Sequence, residues 1–183
     1  VTRAKLTTML GKTLVFGASG YIGSNLVPTL LAAGVSVRAA SRRLSVLSAR
    51  GWENTELIEC DALDEASLAP ALQGIDTAYY LVHSMAAGRD FGRLDCIAAN
   101  NFAEAAAKAK VKRIVYLGGL IPEDANGEHI LSRRDTGDIL RQGSVPVIEL
   151  RAGIIVGPGS AAFEVMRDLV FHLPIMVTPK WVH

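Results

Sequence analysis

Gly17, Gly20 and Gly23 recur at every third residue in the stretch FGASGYIG, directly after the apolar run KTLVF and directly before a stripe of Ile22, Leu26, Leu30 and Leu31. Glycines at this spacing allow a tight turn, let the backbone approach a diphosphate, and let helix and strand pack closely. A helix opening at Tyr21 would direct unpaired N–H groups and the positive end of its dipole into the same loop. Gly17, Ser19, Gly20, Tyr21, Ile22 and Gly23 are therefore the expected cradle for the pyrophosphate of a dinucleotide. A glycine triplet alone fits an ordinary glycine-rich turn equally well. The strand before it and the helix after it make the difference.

The end of the second strand selects the nucleotide. NAD sites usually place an acid about 20 residues beyond the fingerprint to accept from the ribose 2′-hydroxyl. Here the sequence reads Ala40-Ser41-Arg42-Arg43, with no acid until Glu53. A hydroxyl and two guanidiniums suit a 2′-phosphate, so NADP(H) is the preferred cofactor and NAD(H) the second choice. At the third strand end, CDALD offers Asp61, Ala62 and Leu63 to the adenosine half, with Asp64 reading as a helix N-cap and Ser67 next in line. At the fourth, Leu81, Val82 and His83 fall near the cofactor's middle. His83 there meets ribose or substrate, or is simply a histidine hydrogen-bonded at a strand end.

These residues need a scaffold that brings strand ends together. Apolar runs of strand length occur at 12–16, 35–40, 55–60, 76–82, 113–118 and 145–150. Most are nearly continuous, as parallel strands covered on both faces should be. Helical patterns alternate with them at Tyr21–Ala33, Phe91–Ala109 and Ser132–Arg141, the last ending at Gly143. Pro28 inside the first helix should kink it. The expected class is α/β: a doubly wound, mostly parallel sheet in a three-layer α/β/α Rossmann arrangement, with ligands at the strand C-terminal edge.

Composition excludes other classes. With 183 residues, half of them hydrophobic, and a net charge of +1, the chain suits one globular domain and gives no electrostatic case for nucleic acid or a membrane surface. The basic run KAKVKR (108–113) reads as a helix C-terminus. Cys60 and Cys96 lack metal spacing and point to a reducing cytoplasm. The four histidines are scattered, so no metal is expected, and no G-x-S-x-G elbow supports hydrolysis. Residues 1–10 read as an N-terminal extension, with Met9 as a candidate natural start, and 11–183 as the nucleotide-binding domain.

Together with the basic pair and CDALD, the stretches LVHSM (81–85) and ELRAGIIVGPGSAAFEVMRDLV (149–170) resemble the extended, atypical branch of the short-chain dehydrogenase/reductase superfamily. Similarity is greatest to NmrA-like proteins and a bacterial group of NAD(P)-binding oxidoreductases. That resemblance implies a Ser or Thr at the end of strand five, then Tyr-x-x-x-Lys opening the next helix, the tyrosine acting as acid/base. Here Gly118-Gly119 replaces the hydroxyl residue, and His129 and Arg133 occupy the Tyr and Lys positions. Either His129 transfers a proton, with Arg133 on the ribose, or the apparatus is lost and His129 caps the helix. The resemblance also places Gly118, Ile154 and Gly157 beside the nicotinamide, and implies a further substrate region beyond residue 183. Such a region, or a second copy of the chain, is expected to cover an apolar tail of Val170, Phe171, Leu173, Ile175, Met176, Val177 and Trp181.

Three functions follow. The first is an NAD(P)-dependent oxidoreductase acting on a small carbonyl or enone, with a proton from His129, His83 or water. The second is an NADP(H)-sensing module without turnover. The third, an epimerase of the nucleotide-sugar type, suffers most from the missing Tyr/Lys pair. The substrate itself is unknown from the sequence.

Overall fold

The computed structural model describes residues 9–83, 90–122 and 127–173. The chain divides into two compact units, Val1–Arg151 and Ala152–His183. In chain order the elements are β1 (Thr13–Phe16), α1 (Tyr21–Ala32), β2 (Val37–Ser41), α2 (Leu44–Ser48), β3 (Thr55–Glu59), α3 (Glu65–Leu72), β4 (Thr77–Tyr80), α4 (Phe91–Lys108), β5 (Arg113–Gly119), α5 (Glu128–Gln142), β6 (Val147–Ala152) and α6 (Ala161–His172). One six-stranded sheet has the order β3-β2-β1-β4-β5-β6. The pairs β1–β2, β2–β3, β1–β4 and β4–β5 are parallel. The order reverses between β1 and β4, and a doubly wound sheet opens its ligand crevice at the strand C-termini beside such a reversal.

The apolar runs account for this arrangement. Alternate residues of β1 feed opposite faces. Leu14 and Phe16 join a core with Tyr80, Phe102, Ile114 and Leu140, while Val15 joins Val27, Leu30, Val37 and Leu47 on the other side. Phe102 is fully buried, stacked on Phe16 (ring centroids 5.1 Å) and edge-on to Tyr80 (4.9 Å). The central strands are covered on both faces. Outer β6 instead alternates, leaving Ile148 and Leu150 about half exposed.

Three local features of the sequence have structural counterparts. Asp64 caps α3 by accepting from Ala66 N at 3.1 Å. Pro28 sits inside an unbroken α1 on its exposed side, where the ring meets solvent and only one backbone bond is lost. The fourth strand ends at Tyr80, two residues sooner than its apolar run; Leu81 N still donates to Phe16 O at 2.9 Å, and Val82 and His83 continue outside the strand. At the opposite edge, Asp76 pairs with Lys112 Nζ (2.7 Å) and accepts from Lys12 N (3.0 Å), tying the starts of β1, β4 and β5. These two partners, the lysine first, hold the Asp76 carboxyl below the usual carboxylate range.

The second unit contains α6. Ser160 caps it by accepting from Phe163 N at 3.2 Å, and Ser160 N closes a turn on Gly157 O at 2.9 Å. Val165, Leu169, Val170 and Phe171 are exposed within this unit. Of the expected apolar tail, Ile175, Met176, Val177 and Trp181 lie outside the described residues. Among the described residues, no helix is long and apolar enough to cross a membrane.

Candidate dinucleotide site

The glycine loop has the geometry its spacing implies. Gly17 adopts φ +92°, and a Cβ there would stand 2.9 Å from Leu81 O. A Cβ on Gly23 would lie 2.6 Å from both Ala18 Cα and Gly17 O, so only glycine lets α1 approach the turn this closely. Gly17 N and Ala18 N both donate to Ala40 O at 3.0 Å, fastening the loop to the end of β2. Gly20 is the N-cap of α1, with no side-chain cap and no acid in the first turn. The first intrahelical bond is Ser24 N to Gly20 O, at 2.9 Å. The preceding amides of Tyr21, Ile22 and Gly23 therefore have no carbonyl within the helix and point a positive dipole end outward. Such an N-terminus suits a phosphate.

A cleft of about 220 Å³ adjoins this loop. Its walls include Gly17, Ser19, Gly20, Ser41, Arg42, Asp61, Ala62, Leu81, Val82 and His83, all named from the sequence, with Phe16 and Cys60 as additions. Both additions belong to the ends of sheet strands, Phe16 closing β1 and Cys60 following β3; strand ends facing a switch point are the signal that could have found them. Burial pushes the Cys60 thiol up, so it lines the wall as a neutral group. Asp61 Oδ1 accepts from Leu63 N at 3.0 Å, forming a local turn that leaves Leu63 exposed. Arg43 is exposed and opens α2 as its N-cap. The Ser41 hydroxyl donates to Arg43 O at 3.0 Å, so its work is to shape the basic turn. Arg50, unremarked in the sequence, also reaches the loop: its Nη2 donates to Ser19 O at 3.5 Å. A larger cavity of about 520 Å³ lies between α3 and α4, but it is lined by helix residues such as Glu65, Asn101 and Lys108 and includes no strand end.

At the cleft wall stands an arrangement that sequence reasoning missed. His83 Nδ1 lies 2.6 Å from Asp95 Oδ2, and Ser132 Oγ donates to the same oxygen at 2.8 Å. Asp95 and Ser132 are each 3% exposed. His83 Nε2 is buried without a hydrogen-bond partner among the described residues. Such a loss costs about 1–3 kcal/mol when uncompensated. Asp95 comes from α4 and Ser132 from α5, helices packed on each other, with α5 also packed on β5.

The β5–α5 region departs from the family's acid/base pattern. A Cβ on Gly118 would stand 2.7 Å from Glu149 Oε1, and Glu149 is held there by Arg141 and Arg151. A serine at 118 is therefore excluded unless Glu149 moves. Arg133 lays its stem over the strand end, its Cδ 3.2 Å from where a Gly119 Cβ would be. His129 does not cap α5. The N-cap is Gly127, and the His129 ring stacks on Phe91 with centroids 4.4 Å apart, exposed to solvent. Tyr116 donates to Arg133 O at 2.9 Å, and burial pushes its phenol up to about 12, which fits its reading as a poor substitute acid. Gly118 and Arg133 are not in the cleft wall. Ile154 and Gly157 belong to the second unit, where Ile154 is 75% exposed. Among the described residues, no group of histidine, cysteine or acid side chains could hold a metal.

A family model described as NAD(P)H-binding matches residues 17–142. Sterol demethylase protein B of Methylococcus capsulatus is 33% identical over 127 residues, covering 64% of this chain and 38% of that protein. A 3 beta-hydroxysteroid dehydrogenase/Delta 5-->4-isomerase of Mycobacterium tuberculosis is 37% identical over 123 residues, covering 62% and 33%. The matched stretch thus spans about a third of the length of these curated relatives. Among solved structures, Citrobacter sp. triphenylmethane reductase complexed with NADP(H) superposes with a TM-score of 0.69 at 23% identity, covering 79% of this chain and 50% of that one.

Proposed function

Since this chain belongs to the NAD(P)H-binding family, we propose that it serves as an NADP(H)-dependent oxidoreductase of the atypical short-chain dehydrogenase/reductase kind, acting on a small apolar carbonyl or enone compound. The observation that carries the reading is the cleft itself, where uncapped amides at the N-terminus of α1 meet Arg42 across the glycine loop. The loop would hold the pyrophosphate, Arg42 and Arg43 the 2′-phosphate, and Asp61 the adenine amino group. When bound, the nicotinamide supplies the hydride. Two relatives whose names place them in sterol and steroid chemistry support an apolar ring carbonyl as the substrate class. Gly118, closed off by Glu149, supports a second reading in which the nucleotide is sensed and not turned over.

Calorimetric titration with NADPH and NADH tests the assignment. NADPH should bind at least about tenfold more tightly than NADH. In Arg42→Ala/Arg43→Ala the loss of two exposed charge-assisted contacts, about 1 kcal/mol each, should weaken NADPH about thirtyfold and leave NADH unchanged. Equal or tighter NADH binding by the unaltered chain would sink the NADP(H) preference.

A further inference from the structure

We propose that His83, oriented by Asp95 and Ser132, is the proton-handling group of this site, in place of the tyrosine that His129 replaces. The proposal rests on the NADP(H)-dependent oxidoreductase reading above. A ring nitrogen facing a carboxylate oxygen at 2.6 Å must carry the shared proton, so Asp95 fixes the tautomer with Nδ1–H toward itself. Ser132 Oγ donates to that same oxygen at 2.8 Å and supports the charged carboxylate. The anion so held can stabilise an imidazolium, as the buried aspartate of a catalytic triad does. A clamp whose purpose was only structural would leave both ring nitrogens satisfied. Here Nε2 alone has no partner among the described residues, and it belongs to a residue of the cleft wall. His129 is the weaker candidate, since its ring lies flat on Phe91 at the surface.

The step balances with the nicotinamide nucleotide as reductant. As the substrate's carbonyl carbon gains a C–H bond from the supplied hydride, the C=O π pair moves to oxygen. The Nε2–H bond of imidazolium His83 breaks while the O–H bond forms. Neutral His83 is left with Nδ1–H on Asp95, and water entering the cleft after the product leaves returns the Nε2 proton. In the oxidation direction Nε2 accepts the hydroxyl proton instead. Asp95 and Ser132 act through His83 and are positioning residues.

The test combines histidine ring-nitrogen NMR, NADPH titration and oxidation of NADPH with menadione as probe. In the unaltered chain the His83 signal should show a proton on Nδ1, and saturating NADP⁺ should move the Nε2 signal. In Asp95→Asn the Nδ1–H signature should be lost, with kcat falling and the KM for NADPH unchanged. At saturating NADPH, His83→Gln should lose turnover about a hundredfold or more, the range of general acid catalysis. An unprotonated Nδ1, an Nε2 signal indifferent to NADP⁺, or undiminished turnover by His83→Gln would each overturn the assignment. If the unaltered chain binds NADPH but leaves menadione untouched, the two NMR signals decide. Failure of that chain to bind NADPH at all would remove the nucleotide reading, and this inference with it.

Discussion

Gly20→Ala should abolish most NADPH affinity while leaving the fold nearly intact. A Cβ at position 20 would meet only Gly17 O, at 3.4 Å, an ordinary contact. The backbone there is extended (φ −74°), so alanine adopts it without strain. The fold loses only the preference for glycine over alanine at an N-cap, below about 1 kcal/mol. The new methyl, however, stands in the cleft wall beside the uncapped amides of α1, where a pyrophosphate must approach the backbone. A loss of about 2 kcal/mol or more, at least thirtyfold in Kd, is expected. Gly23→Ala should behave in the opposite sense. Its Cβ would press against backbone atoms of Ala18 and Gly17 at 2.6 Å, so thermal stability should fall by about 1–3 kcal/mol even without ligand. Calorimetric titration and thermal melts of the two variants separate the roles. Unchanged NADPH affinity in Gly20→Ala would contradict the cradle.

Phe102→Ala should give the largest loss of stability from one side chain, about 4 kcal/mol in urea unfolding. Phe102 is fully buried, packs on Phe16 and Tyr80, and belongs to α4. Removing the ring deletes two aromatic contacts and leaves a void bounded by β1 and β4, the strands flanking the crevice. Surrounding rings are themselves buried, Phe16 and Tyr80 each at 1% exposure, so they have little freedom to collapse into the gap. Phe102→Leu, which keeps most of the volume, should lose well under half as much. Equal stability of Phe102→Ala and the unaltered chain would mean that α4 is not packed as described.

The fold and most of the residues that line the cleft were legible because both rest on local pattern. Parallel strands buried on two faces write continuous apolar runs, and a glycine triplet between strand and helix has few other uses. Asp61, Arg42 and Leu81 to His83 could be placed because strand ends at a switch point converge whatever the side chains are. Asp95 and Ser132 escaped because their partners lie 12 and 37 residues away, on different elements. A signal did exist: Phe91, Asp95, Ala98, Phe102 and Ala106 form the buried stripe of α4, and one acid on such a stripe needs a buried partner. The same holds for Ser132 on the stripe with Thr136 and Leu140. The expectation that His129 caps its helix failed because a chain turning through Gly127 already supplies the N-cap, freeing the imidazole to lie on Phe91.

NADPH titration followed by amide nitrogen–proton correlation spectra tests the central claim most directly. The account predicts saturable shifts concentrated at Gly17 to Gly23, Arg42, Asp61 to Ala62 and Leu81 to His83. Shifts confined to the cavity between α3 and α4, around Glu65, Asn101 and Lys108, or no saturable response at all, would contradict it.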